Sequence, residues 1–296
     1  MHSSHTRGSL VALVTPFKED GSIDYVAYEK LIKLHISAKT DGLVLCGTTG
    51  EAATMTLEEK KSLLKIAKEL TNSSIPLIFG TGGNDTKTVC DLTSKAESFG
   101  ADAVLIVTPY YNKPPQEGLI RHFTLAANST ALPVILYNVP GRTGCNMLPE
   151  TVLKLSEISN IIGVKEASGN MSQVMTIIKD APKDFCLYSG EDALNLPIMM
   201  CGGKGTISVT ANVAPKMMKQ FNDAALSGDL NTAQKLHYRL LPMHHGLFVE
   251  TNPIPAKAAL KIMGLMSDFC RSPLCKPSEK TTLLMSKLIS SLEQSN

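Results

Sequence analysis

Lys165 is the residue whose type and position point most directly to chemistry. It follows the apolar run Ile-Ile-Gly-Val at residues 161–164, so its stem lies among apolar side chains. Desolvation lowers the pKa of an amine, and a neutral amine can attack a carbonyl carbon to form a Schiff base. A lysine in this position can also pair with the adjacent Glu166 or extend its amine to solvent. The residue by itself leaves these interpretations open.

Two tyrosines and a threonine could move the protons that imine formation requires. Tyr137 ends another apolar run, Tyr111 follows a third, and Thr48 could place a hydroxyl between them. Forming an imine takes a proton from the amine and gives one to the departing water. Either tyrosine could instead be a core phenol whose hydroxyl is hydrogen-bonded to protein.

Arg142 and the threonines at 48–49 could bind carboxylates. Arg142 lies in a Pro-Gly-Arg-Thr-Gly turn at 140–144, and a guanidinium can hold a carboxylate through two parallel hydrogen bonds. Thr48 and Thr49 stand between glycines at a loop tip, where they offer hydroxyl and N–H donors. A surface arginine and a plain strand-to-helix turn capped by threonine are the alternatives.

Eight short apolar runs, each followed by a helical pattern, would position these side chains. They cover residues 9–17, 42–46, 75–79, 103–107, 133–137, 161–164, 185–188 and 205–209. Runs that are apolar throughout are typical of parallel strands covered on both faces. Eight strand-helix units over about 215 residues predict a (β/α)8 TIM barrel, whose active site lies at the carboxyl ends of the strands. We assign the catalytic barrel to residues 1–225.

The rest of the chain shows helical patterns only. They lie at residues 215–225, 230–248, 254–264 and 278–292, and no flexible linker precedes them. We therefore expect residues 226–296 to form a C-terminal helical region packed on the barrel.

The composition excludes several classes of protein. The 296 residues carry a net charge of +2, too balanced for a dedicated nucleic-acid binder. No apolar run approaches the roughly 20 residues of a membrane span, and residues 1–7 lack the apolar core of a secretory signal. The seven cysteines are scattered without a Cys-x-x-Cys motif. Together these features predict a cytoplasmic location.

Neither a cofactor nor a metal site is predicted. The glycine-rich segment at 80–84 is not Gly-x-Gly-x-x-Gly, and Lys204 precedes a glycine where a phosphate-binding loop has Ser or Thr. The pair His244-His245 is not part of a His-Glu-x-x-His motif.

Four segments carry a resemblance to a known family. They are Gly-Thr-Thr-Gly-Glu at 47–51, Thr-Pro-Tyr-Tyr at 108–111, Tyr-Asn-Val-Pro-Gly-Arg-Thr-Gly at 137–144 and Gly-Val-Lys-Glu-Ala at 163–167. In this order they resemble the dihydrodipicolinate synthase and N-acetylneuraminate lyase superfamily. The resemblance runs from about Gly8 to the Asn-Pro-Ile-Pro segment at 252–255.

The resemblance implies a lyase that acts on pyruvate through a lysine Schiff base. It makes Lys165 the Schiff-base lysine and Tyr137 the general acid and base. Tyr137 would be linked through Thr48 to Tyr111, which a neighbouring subunit contributes across a tight dimer interface. A homotetramer, built as a dimer of dimers, is the arrangement implied. Thr48 and Thr49 would hold the pyruvate carboxylate, and Gly190 and Ile207 would line the same pocket.

Arg142 decides between the branches of the superfamily. The pattern at 137–144 is typical of dihydrodipicolinate synthases, in which this arginine binds the carboxylate of L-aspartate 4-semialdehyde. The resemblance therefore implies condensation of pyruvate with that aldehyde to 4-hydroxy-tetrahydrodipicolinate, on the way to diaminopimelate and lysine. Two alternatives remain: a related lyase or dehydratase acting on a sugar-derived 2-keto acid, and a barrel that binds pyruvate without catalysis.

The sequence departs from the members that L-lysine inhibits. Those members bind lysine at a subunit interface, and of the residues they use only Asn84 and Tyr110 match. Leu57, Lys60 and Thr88 stand at the other positions. The carboxylate that would pair with the lysine amine is missing, and an inward-pointing Lys60 would add a like charge. We expect weak or no feedback inhibition.

Overall fold

The fold is a closed barrel of eight parallel strands, as seen in a computed structural model that describes residues 6–294. Each strand is hydrogen-bonded to the next along the chain, and the eighth pairs with the first. The strands are β1 Gly8–Ala12, β2 Gly42–Leu45, β3 Leu77–Gly80, β4 Ala103–Val107, β5 Val134–Asn138, β6 Ile161–Glu166, β7 Cys186–Ser189 and β8 Gly205–Ser208. The predicted (β/α)8 barrel is confirmed.

Successive strand side chains point alternately into the barrel and towards the surrounding helices. In β1, Leu10 packs inside the barrel with Val44 and Ile78. Its neighbour Val11 belongs to the outer core, between the sheet and the helices. Both faces are buried, which is why the strands are apolar throughout.

Helical segments follow the strands and close the chain. They are α1 Tyr25–Ser37, α2 Leu57–Thr71, α3 Thr86–Lys95, α4 Gln116–Asn128, α5 Pro140–Thr143, α6 Pro149–Leu155, α7 Met171–Asp180, α8 Asn195–Met200, α9 Pro215–Ser227, α10 Leu230–Gly246, α11 Ile254–Ile262 and α12 Glu279–Gln294. The four helices predicted beyond residue 214 are all present, with ends shifted by at most two residues. In this region α10 packs against α8, α9 and α12, and α11 packs against α12. The division of the chain after residue 225 stays a prediction.

β1 is shorter than predicted. It ends at Ala12, five residues before the predicted end at residue 17. Beyond its end, Val14 N donates to the side chain of Asn212 at 3.0 Å and not to a neighbouring strand. Pro16 has no N–H with which to continue the ladder. Phe17 forms only an isolated bridge with Ile23. The segment at 13–17 is therefore a buried loop that follows β1.

β6 is longer than predicted and runs past residue 164 to Glu166. Lys165 is thus a strand residue whose position is fixed by hydrogen bonds to both neighbouring strands. No helix within residues 6–294 is long and apolar enough to cross a membrane. The opening segment at 1–7, for which the sequence predicts no signal peptide, lies mostly outside the described residues.

Candidate active site

A cavity of about 600 Å³ opens at the carboxyl ends of the strands. The predicted site residues that line it are Thr48, Thr49, Tyr137, Arg142 and Lys165. The loops after β2, β3 and β5 supply most of the wall, and the segments at 251–252 and 273–274 of the helical region close one side. The cavity lies at the end of the barrel where an active site was predicted.

Lys165 and Tyr137 form the floor of the cavity. They are register partners on β6 and β5, and they are only 6% and 7% exposed. The Lys165 Nζ lies 4.2 Å from the centroid of the Tyr137 ring. Within residues 6–294 the Tyr137 hydroxyl has no protein hydrogen-bond partner, so it is not a satisfied core phenol. Both groups face the space where a small ligand would lie.

Glu166 does not pair with Lys165, because the two side chains leave β6 on opposite faces. Its carboxylate accepts hydrogen bonds from Asn138 Nδ2 at 3.1 Å, Gln173 Nε2 at 3.0 Å and Ser168 N at 2.7 Å. This set of donors satisfies a buried carboxylate outside the barrel. One of the alternatives for Lys165 is thereby removed.

Gly190 lies beside Lys165, and neither Gly190 nor Ile207 is among the residues that line the cavity. A Cβ at Gly190 would stand 2.9 Å from Lys165 Cε and 2.9 Å from the Cβ of Ala167. Glycine is therefore required for the lysine stem to pass. Ile207 is buried in the barrel interior, in the same cluster as Tyr137.

The turn at 47–51 is held from outside the barrel. Thr49 is 3% exposed, and its Oγ1 accepts a hydrogen bond from Asn252 Nδ2 at 2.8 Å. This bond fills an acceptor position and leaves the Thr49 hydroxyl hydrogen free to donate. Thr48 is exposed, and among the described residues no hydrogen bond joins its side chain to Tyr137 or Tyr111. The predicted relay is not assembled within one chain.

Tyr111 lies away from the cavity. It is 89% exposed, and its φ of 74° is in the left-handed region, which a non-glycine residue seldom adopts. The neighbouring Tyr110 lines the cavity instead. A single chain therefore does not bring Tyr111 to Lys165.

Arg142 stands in the short helix α5 and reaches the cavity wall. Its Nη2 donates to the carbonyl oxygen of Asn252 at 3.2 Å. The remaining N–H groups of the guanidinium are available to a ligand.

Asn252 is the site residue to which sequence reasoning gave no role. It is 5% exposed and contacts both Thr49 and Arg142. These contacts cross 203 and 110 residues of chain, a separation that no local pattern can reveal. The Asn-Pro-Ile-Pro segment was the only available signal.

Two further groups in this region have shifted pKa values. Burial raises the pKa of the Cys46 thiol to about 12, so it is not an ionised nucleophile near neutral pH. Burial, and then the charge of Asp192, raise the pKa of Glu191, while the positive charge of Lys165 acts in the opposite direction. Within residues 6–294 no group of three or more His, Cys, Asp or Glu side chains could hold a metal ion.

Comparison with known proteins gives consistent matches over nearly the whole chain. The sequence profile of the dihydrodipicolinate synthetase family matches residues 5–292. The chain is 51% identical over 273 residues to 4-hydroxy-tetrahydrodipicolinate synthase of Thermodesulfovibrio yellowstonii, covering 92% of this chain and 94% of that protein. It is 50% identical over 267 residues to the enzyme of that name from Pseudomonas aeruginosa, covering 90% and 91%.

Solved structures also match over nearly the whole chain. The chloride-inhibited dihydrodipicolinate synthase of Acinetobacter baumannii, complexed with pyruvate, is similar with a TM-score of 0.96 at 42% identity, covering 98% of this chain and 99% of that one. Dihydrodipicolinate synthase of Thermotoga maritima is similar with a TM-score of 0.96 at 40% identity, with the same coverage.

Proposed function

The chain belongs to the dihydrodipicolinate synthetase family and is an enzyme of the lyase class, and on that premise we propose that it condenses pyruvate with L-aspartate 4-semialdehyde. The product would be 4-hydroxy-tetrahydrodipicolinate, a precursor of diaminopimelate and lysine. The observation that carries the proposal is that one cavity holds both a buried amine, Lys165, and a guanidinium with free donors, Arg142.

Lys165 is the nucleophile in this proposal. Its neutral amine adds to C2 of pyruvate, and loss of water forms the imine. Removal of a proton from C3 gives an enamine, which attacks the aldehyde carbon and converts the aldehyde oxygen to a hydroxyl. The amino group of the condensed aldehyde then adds to C2 and displaces Lys165, which closes the ring. The protonated imine takes up the electron pair of the C3–H bond when the proton leaves, so these steps need neither a metal ion nor an organic cofactor.

Tyr137 is the proposed proton carrier for these steps. Its hydroxyl has no protein partner within residues 6–294, and its ring lies under the Lys165 amine. A positioned acid or base of this kind contributes a factor of about 10²–10⁴ to a rate. Thr48 would connect Tyr137 to Tyr111 of a neighbouring subunit once the subunits assemble.

The proposed assembly is a homotetramer, a dimer of dimers in which Tyr111 crosses the tight dimer interface. The support is the exposure of Tyr111 together with its left-handed backbone conformation, which is costly for a non-glycine residue and persists only where the surroundings hold it. A monomeric state occurs among the similar solved structures: one of them, with a TM-score of 0.95, is the first monomeric variant of a dihydrodipicolinate synthase.

The turn at 47–51 is the proposed site for the pyruvate carboxylate. Thr49 can donate its hydroxyl hydrogen because Asn252 occupies an acceptor position of the same oxygen. Thr48 offers a second hydroxyl at the cavity wall. Gly190 and Ile207 would form the back of the pocket behind the imine.

A two-substrate assay tests this function. With pyruvate and L-aspartate 4-semialdehyde, we expect product formation that mass spectrometry detects at the mass of 4-hydroxy-tetrahydrodipicolinate. Cleavage of N-acetylneuraminate or a 2-keto-3-deoxy sugar acid at a higher kcat/KM would contradict it and favour the sugar-acid lyase. Pyruvate bound as an imine without turnover of the aldehyde would indicate the non-catalytic barrel.

Weak or absent inhibition by L-lysine is a further proposal. Lys60, Asn84, Thr88 and Tyr110 all line the outer part of the cavity. An ammonium at position 60 repels the amine of a lysine bound there, and a like-charge contact lowers affinity. Leu57 is not among the lining residues and is 39% exposed.

We expect less than half inhibition at 1 mM L-lysine, a concentration that corresponds to a weak binding free energy of about −4 kcal/mol. The measurement is the initial rate of condensation at rising L-lysine concentration. The variant Lys60→Glu places a carboxylate at the same position and is expected to be inhibited at lower lysine concentrations. Sub-millimolar inhibition of the unaltered protein would show that the remaining contacts suffice.

A further inference from the structure

Helix α11 reaches the turn at 47–51 through a fully buried ion pair. Lys257, on α11, pairs with the carboxylate of Glu51, and their side chains are 0% and 2% exposed. The Lys257 Nζ also donates to the carbonyl oxygen of Phe269 at 2.9 Å and lies 4.4 Å from the centroid of the Phe17 ring. The ammonium is thus enclosed by protein on the side away from the cavity.

The second carboxylate oxygen of Glu51 is bound by the chain that follows α11. Arg271 N donates to Glu51 Oε2 at 2.9 Å. The Arg271 guanidinium is itself fixed in place. It lies 4.3 Å from the Phe17 ring centroid, its Nε donates to Gly21 O at 2.8 Å, and it pairs with the carboxylate of Glu59. The hydrogen bonds from Arg271 lower the pKa of Glu59 to about 2, so this carboxylate stays ionised in neutral solution.

The backbone of Glu51 belongs to the turn that carries Thr48 and Thr49. Its N–H donates to Thr48 O at 3.0 Å. Its φ of 57° lies in the left-handed region, which a non-glycine residue keeps only when its surroundings hold it there. Asn252, two residues before α11, donates to Thr49 Oγ1. The same part of the helical region therefore holds this turn at two points.

Stability alone does not account for charges at this position. Burial lowers the pKa of Lys257, and the charge of Glu51 acts in the opposite direction. Two charges removed from water lose their hydration. Apolar side chains of similar volume in their place often stabilise a fold at least as much as the buried ion pair does. A pair of opposite charges does, however, fix the distance between the two segments that carry it.

We propose that Lys257 and Glu51 are positioning residues of the active site, whose buried pair holds the turn at 47–51 where Thr48 and Thr49 meet the pyruvate carboxylate. The inference rests on the proposed pyruvate chemistry and gives the helical region a part in substrate affinity. Lys165 lies on β6, outside this network of contacts. Loss of the pair therefore weakens pyruvate binding more than it slows the reaction of bound pyruvate.

The test uses the full chain and measures two quantities separately: the pyruvate concentration that half-saturates borohydride trapping, and the condensation rate at saturating pyruvate. The double variant Glu51→Gln with Lys257→Met removes both charges, keeps the side-chain volumes and leaves no lone buried charge. We expect the half-saturating concentration to rise about tenfold, as loss of a well-aligned hydrogen bond to a carboxylate would produce. The saturated rate should fall by a smaller factor than the affinity does, because Lys165 and Tyr137 keep their places on β6 and β5 and only the Thr48 contact of the proposed proton relay is displaced.

A second variant keeps the test decisive if the double variant does not fold. Glu51→Asp retains both charges and shortens the link by one methylene, so it displaces the turn and should also raise the half-saturating concentration. Lys68→Met is the matched control. The Lys68–Asp102 pair (2.7 Å) lies near the amino ends of β3 and β4, at the end of the barrel opposite the cavity. Its pyruvate affinity should equal that of the unaltered protein.

Pyruvate affinity within twofold of the unaltered protein in a folded variant would overturn the proposal. A saturated rate that falls as much as the affinity would also overturn it. Failure of the unaltered protein to form an adduct is a separate result, because it concerns the proposed function and is known before any variant is made.

Discussion

Replacing Lys165 with alanine is expected to reduce condensation by at least about 10³-fold and to abolish covalent capture of pyruvate. Within residues 6–294 the Lys165 amine is the nucleophile that lies next to Tyr137 on the cavity floor, and Glu166 accepts hydrogen bonds from Asn138, Gln173 and Ser168. No other described group on that floor can replace it. The measurements are the steady-state rate with both substrates and the protein mass after borohydride reduction with pyruvate.

A lysine at the other end of the barrel supplies the control. Lys204 immediately precedes β8, remote from the cavity, and Lys204→Ala should keep both the adduct and the rate. The melting temperature of each variant separates a loss of chemistry from a loss of fold. A pyruvate adduct on Lys165→Ala would assign the imine to another amine and contradict the proposed mechanism.

Replacing Arg142 with alanine is expected to lower kcat/KM for L-aspartate 4-semialdehyde by about 10²–10³-fold, with little change in pyruvate capture. Each charge-assisted hydrogen bond to a carboxylate contributes about 1.5–3 kcal/mol, so losing a two-point contact accounts for a decrease of this size. Arg142 donates only one N–H to Asn252 O, and its other N–H groups are available to the substrate. The assay varies each substrate in turn while the other is saturating.

Two further variants sharpen this result. Arg142→Lys keeps the charge but loses the planar pair of donors, so it should recover only part of the affinity for the aldehyde. Arg121→Ala changes an exposed arginine on α4 that does not line the cavity, and it should leave both substrates unaffected. Equal losses for pyruvate capture and aldehyde turnover in Arg142→Ala would remove the assigned role.

The barrel was predictable because its strands and helices have local signals. Uninterrupted apolar runs mark strands buried on both faces, and helical patterns placed the four C-terminal helices within two residues of their observed ends. The end of β1 was misplaced because the segment at 13–17 is as buried as a strand, although side-chain contacts such as Val14 N to Asn212 replace its ladder. Burial leaves the same pattern in the sequence for either conformation.

The site was predictable only where its residues follow strands. The ends of the apolar runs indicated Lys165, Tyr137 and Arg142, and the cavity brings these three together. The contacts of Asn252 and Lys257 were not predictable, because each joins segments about 200 residues apart whose local patterns are those of a loop and a helix. Tyr111 is 89% exposed and lies away from the cavity, so its place in the relay stays a prediction.

Borohydride reduction of the unaltered protein with pyruvate, followed by peptide mass spectrometry, tests the central claim most directly. Reduction converts an imine into a stable secondary amine, so the modified residue can be identified. We expect one pyruvyl adduct per chain, located on Lys165, and none when pyruvate or borohydride is omitted. A folded protein that forms no adduct in excess pyruvate, or forms it on a different lysine, would contradict the account at its central residue.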